Sequence, residues 1–221
     1  MSVAAIQAAT ITPCTTGTLS GYVGFGSNGC SVGDLVVSGF QILPTASTAI
    51  SPSGVTVTPG MGGLQFGYGR TANIGQVFES NFGFNVSSLT GMAITGETFG
   101  LGGSSAMLDG GVAGISSVCA GAISSTGSCP TSPAGRNLAT FALDGFTQTS
   151  DQISFIGTPV LGVMIDASAD GGSLGMAVLG NTSVRFTEAA SVPEPATMGM
   201  FVVALGGLVL AGARKRFAKR F

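Results

Sequence analysis

The chain has 221 residues, of which 37 are glycine and only 8% are charged. That length allows one domain of moderate size with a real core, plus a tail. The glycine load argues against long helices, because glycine costs about 1 kcal/mol relative to alanine in a helix interior, while an apolar fraction of 44% is too high for a disordered chain.

Residues 1–190 hold three cations, Arg70, Arg136 and Arg185, against nine acids, a net charge of −6. Such an acidic body lacks the electrostatic footprint of a nucleic-acid binder. Histidine is absent, which removes Ser-His-Asp and Cys-His catalysis and His-ligated metal sites. No enzyme activity, catalytic residue or cofactor is expected.

Residues 1–10 are small and apolar but too short for a signal peptide. They read as the remnant of one, or as a disordered N-terminus. Residues 11–190 form the body. Cys14 and Cys30 are separated by 15 residues, Cys119 and Cys129 by nine. Neither pair has the tight spacing of a zinc knuckle. Two local disulfides are the favoured reading in an exported protein, with free buried thiols as the alternative.

Within 14–43, apolar residues recur between glycine and serine, which predicts two short strands around a Gly-rich turn and a strand near 35–43. Pro44, Pro52 and Pro59 mark a loop with a short strand at 55–57. Further strands are predicted at 63–68, 75–86, 91–99, 139–148, 152–166 and 174–186. Residues 100–135 are rich in small residues; 106–123 reads as a weak helix or a disulfide-pinned loop. Many short strands separated by turn signals predict a mainly β fold, a sandwich or jelly-roll.

Several local patterns resemble sites. Gly24–Gly29 matches GxGxxG, but no helix is expected to open there, so a Gly-rich turn is preferred. Asp166, Ser168 and Asp170 follow the start of a calcium loop. The twelfth position, where a bidentate glutamate belongs, is Ala177. A hairpin turn between 160–166 and 174–184 is the simpler reading, and no metal is expected beyond that weak calcium candidate. The sequons at Asn85 and Asn181 are treated as chance.

The tail, residues 191–221, carries the clearest signal. Val192, Pro193, Glu194 and Pro195 form an extended stretch, because proline disfavours helix in the residue before it. Residues 196–213 carry no charge. As a helix they would span about 27 Å, close to a hydrocarbon core. Residues 214–221 are basic, with Arg214, Lys215, Arg216, Lys219 and Arg220. Positive residues stay on the cytoplasmic side, so the C-terminus is expected inside and the body outside. One C-terminal transmembrane helix would thus anchor an exported body in the inner membrane.

This order of motif, apolar run and basic end resembles the PEP-CTERM sorting signal of Gram-negative bacteria. The resemblance covers about 30 residues of the tail. Weaker likeness extends to Cys14, the Gly17-Thr18-Leu19 run, Gly29-Cys30 and Gly33-Asp34. It implies recognition and processing by an exosortase, a membrane-embedded cysteine transpeptidase. It also implies a place at the cell surface or in the extracellular matrix of exopolysaccharide-producing, biofilm-forming bacteria. The expected function is a non-enzymatic structural or adhesive component associated with exopolysaccharide. The alternative is a carbohydrate-binding module, calcium-assisted or not. Of the aromatics, Tyr22, Tyr68 and the phenylalanines are available to such a module.

Overall fold

Short β-branched and aromatic runs between glycine-rich turns fold as strands, not helices, almost throughout. The structure is a computed structural model that describes residues 11–124, 126–129 and 137–190. β1 (Gly17–Thr18) leads into a five-residue helix, α1 (Leu19–Val23), then β2 (Cys30–Val32), β3 (Leu35–Ile42) and β4 (Thr48–Ala49). A 3-10 turn at Pro52–Gly54 precedes β5 (Thr56–Gly60), β6 (Gly63–Ala72), β7 (Val77–Ser88), β8 (Ala93–Gly102) and β9 (Ser105–Met107). Next come β10 (Gly111–Ala120), β11 (Leu138–Leu143) and β12 (Phe146–Gln148). β13 (Ser150–Thr158), β14 (Val160–Asp170) and β15 (Met176–Ala189) complete the described chain.

These strands form two sheets packed as a sandwich. The larger has eight strands in the order β12-β11-β10-β14-β7-β3-β2, with β4 also beside β7. The smaller has seven, β1-β5-β6-β15-β8-β13, with β9 also beside β15. Described strand pairs are antiparallel, apart from the two-residue β4–β7 contact. The expected mainly β, sandwich-like body is therefore present.

Period-2 alternation decides which side chains enter the core. On β7, Phe82, Phe84 and Val86 are fully buried; on β14, Leu161, Val163 and Ile165 are. Phe66 of β6 and Phe186 of β15 meet them from the other sheet, with ring centroids 4.7 Å apart for Phe66–Phe82 and 6.5 Å for Phe84–Phe186. Phe40 stacks on Phe84 at 4.9 Å, and Tyr22 packs edge-on to Phe40 at 5.2 Å. Each aromatic pair of this kind contributes about 0.5–1.5 kcal/mol beyond its area.

Five expectations need correction, the first being the predicted strand 139–148, which is a hairpin of two strands, β11 and β12. The first short strand predicted within 14–30 is largely replaced by α1, which Thr18 caps by accepting from the Gly21 amide at 3.2 Å. The weak helix at 106–123 is β9 and β10 instead. Val112, Ser116 and Val118 alternate inward along β10 with Gly114 between them, a period of two that its small residues disguise. The predicted strand 152–166 is two strands in different sheets, with Pro159 at the corner between β13 and β14. The predicted hairpin across 166–175 does not form either. β14 runs on through Asp170 and the chain then crosses to the other sheet as β15.

Among the described residues no helix is long and apolar enough to cross a membrane. The expected transmembrane run 196–213 lies outside them.

Candidate functional site

The outer face of the larger sheet carries Glu79, Asn81 and Asn85 on β7 and Asp166 and Asp170 on β14. Strand alternation sends Glu79, Asn81 and Asn85 outward from β7, opposite the inward phenylalanines. Register then sets rows across the sheet. Asn81 lies beside Asp166, and Asp166 beside Ile115. Glu79 lies beside Ser168, and Ser168 beside Ala113.

Two loops rise from this face. The first, residues 43–47, is held by side chains of β7. Glu79 Oε2 accepts from the Ala46 amide at 2.8 Å, the Ser47 amide at 3.0 Å and the Ser47 hydroxyl at 2.9 Å. Asn81 donates through Nδ2 to the Pro44 carbonyl at 2.9 Å. The second follows β10 and is stapled by the Cys119–Cys129 disulfide. Ile123 of this loop lies directly over Gly83 and Gly162, where a Cβ would approach within 2.6 Å of its side chain. Only glycine lets the loop sit this close. The Ile123 amide donates to Asn85 Oδ1 at 2.9 Å, and Gln41 Nε2 to the Ser124 carbonyl at 2.8 Å.

Between the loops lies a groove of about 370 Å³. Leu43 and Gly127 form part of its walls, and Asn81, Asp166, Ser117, Ile115 and Met164 part of its lining. Burial pushes the half-buried Asp166 carboxyl above the ordinary carboxylate range, and the Glu79 charge adds to the shift. Both cations among the described residues, Arg70 and Arg185, lie on strands of the other sheet. The groove face therefore carries carboxylates, amides and hydroxyls beside apolar side chains, without a described counter-charge.

The sequence-predicted residues distribute as follows. Cys14 bonds Cys30, tying the entering chain to β2, where the Cys14 amide also donates to the Ser31 carbonyl at 2.8 Å. Cys119 bonds Cys129, so both expected disulfides are present. Asp166, Ser168 and Asp170 are alternate residues on the outward face of β14, not successive ligands of a loop. Among the described residues no group of three or more His, Cys, Asp or Glu is arranged to hold a metal ion. Tyr22 and Tyr68 are 1% and 4% exposed and are core residues, not an exposed aromatic platform. The Tyr68 hydroxyl pairs with Thr182 Oγ1 at 2.9 Å. Gly24–Gly29 follows a short helix and precedes a strand, the reverse of a dinucleotide fingerprint. Val192, Pro193, Glu194, Pro195 and the basic residues Arg214, Lys215, Arg216, Lys219 and Arg220 lie outside the described residues.

Sequence reasoning missed Asn81, Ser117 and Glu79. The polar period-two run Glu79, Asn81, Asn85 was the available signal, because it marks the solvent face of a strand whose other face is aromatic.

No protein-family model matches this chain, and neither does any curated protein. Among solved structures, the chain is similar to TmCBM61, determined in complex with β-1,4-galactotriose. The identity is 10%, over 73% of this chain and 92% of that one, with a TM-score of 0.25. A likeness at that level adds nothing to the geometry.

Proposed function

We propose that the chain is an exported surface or matrix protein whose sandwich body holds a neutral polysaccharide in the groove on its larger sheet. The observation that carries this reading is the lining of the groove: Asn81, Asp166 and Ser117 offer donors and acceptors for sugar hydroxyls beside Ile115 and Met164, which suit the apolar face of a sugar ring. Ligand sites commonly combine an apolar lining with a few placed polar groups. Asp166, Glu79 and Asp170 share this outer face, so uronate or sulfated polymers would be repelled. Two disulfides support an oxidising compartment. Glu79 is used structurally, as the anchor of loop 43–47, which favours binding over two-carboxylate hydrolysis.

Calorimetric titration with neutral and uronate oligosaccharides tests the groove. Heat of binding is expected from the neutral series alone. The proposed sorting step, in which an exosortase recognises Val192–Pro195 while 196–213 spans the membrane, rests on the layout of the tail. Glu194→Ala is expected to leave membrane insertion intact and to block maturation in a host with an exosortase. Mass spectrometry of wild-type surface protein that still ends at Phe221 would defeat the sorting step without touching the groove.

A further inference from the structure

One end of the sandwich is apolar in a way the fold itself does not need. Four connections meet there: 73–76, 108–110, 144–145 and 171–175. The Gly75 amide donates to the Gly172 carbonyl at 2.7 Å and the Gly171 amide to the Gln76 carbonyl at 2.9 Å. Gly111 is in register with both Leu143 and Asp170, which brings the β11–β12 turn alongside. At this end Ile74 is 62% exposed, Met107 56%, Leu108 63%, Leu143 47%, Phe146 73% and Leu174 71%. These are half of the twelve large hydrophobic side chains that are exposed among the described residues.

The display is fixed, not loose. Asp109 joins two of the connections: Oδ2 accepts from the Ser173 amide at 2.7 Å and the Ser173 hydroxyl at 2.6 Å, and Oδ1 from the Leu174 amide at 2.8 Å. Leu108 has φ 56°, and it is the one non-glycine residue with positive φ among the described residues. A leucine there is a genuine outlier, since its Cβ crowds the backbone; glycine or asparagine would relax it. Strain of this kind persists where the surroundings enforce it, and it points to use of the side chain.

We propose that this end is a self-association surface whose occupant is a second copy of the chain. Six residues at these exposures present roughly 600–700 Å², backbone included, at the upper end of the largest patches on monomers. With the intervening residues, that approaches the ~800 Å² per partner of a stable interface. Asp109, Asp144 and Asp170 rim the surface, which disfavours an anionic bilayer as the occupant. For a second copy they predict association that strengthens with salt. Oxygens of Asp109 and Asp170 already accept from amides of the 171–175 connection, so an interface would leave them satisfied.

Sedimentation velocity of the full chain in neutral detergent, at 0.05 M and 0.5 M NaCl, tests this. A dimer is expected, tighter at high salt. Leu108→Asn with Leu174→Asp should weaken it at least tenfold, while Leu108→Asn alone should leave the melting temperature unchanged or raised. Ile156→Asp, on the β13 edge, should keep the dimer. A monomeric wild type at tens of micromolar overturns the proposal. So does a Leu108→Asn/Leu174→Asp variant as dimeric as wild type. The polysaccharide titration is unaffected by these substitutions, so this proposal and the groove fail separately.

Discussion

The Ser116 hydroxyl donates to Glu97 Oε1 at 2.6 Å, from β10 in one sheet to β8 in the other. Glu97 is 1% exposed, and its second oxygen, Oε2, is buried with no hydrogen-bond partner. Burial lifts this carboxyl from its ordinary 4.5 to about 7, against the opposing pull of the Ser116 hydrogen bond. The folded state therefore holds a proton that the unfolded chain releases between those values.

Stability from this group is fully present below pH 4.5, falls between 4.5 and about 7, and is flat above. The loss amounts to about 3 kcal/mol. In urea titrations at pH 5 and pH 8, wild type should be clearly weaker at pH 8, and Glu97→Gln should lose most of that difference. Equal pH dependence in the two proteins would show that Glu97 ionises freely in the fold.

Asp109 behaves oppositely. Its carboxyl is held down to about 2 by the hydrogen bonds from Ser173 and Leu174. Its contribution is present above the ordinary carboxylate value and is lost as pH falls through about 2. Asp109→Ala should therefore speed hydrogen exchange at the Ser173 and Leu174 amides by at least tenfold at neutral pH. The core amides of β7 should be unchanged.

The Cys119–Cys129 staple predicts a local effect. Replacing both cysteines with alanine should cost about 2–3 kcal/mol on the loop-closure account. It should also loosen the Ile123 loop over Gly83 and Gly162. Sugar binding should fall more steeply than the melting temperature. Breaking Cys14–Cys30 instead should lower stability and spare binding.

The sandwich was legible where chemistry and period agreed. Phe82, Phe84 and Val86 alternate with Asn81 and Asn85, and the strand at β7 follows. It was illegible where small residues hide the period, as with Gly114 and Ser116 on β10, which lie inside because Phe99 and Glu97 occupy the space opposite. Local pattern also could not show that the 166–175 segment changes sheets, because a hairpin and a crossover use the same turn residues. The groove depends on register between β7, β14 and β10, residues far apart in sequence. Asp166 was singled out for calcium, and its neighbours Asn81 and Ile115 come from distant strands.

Affinity electrophoresis through gels containing dextran, xylan or mannan, with alginate as the anionic control, reads polysaccharide binding by the groove. At least one neutral polymer should retard the wild-type protein, and alginate should not. Asn81→Ala with Asp166→Ala should weaken retardation at least tenfold, while the fold and both disulfides are retained. Retardation by alginate alone, or undiminished retardation of the double variant, would contradict neutral-polysaccharide binding in the groove.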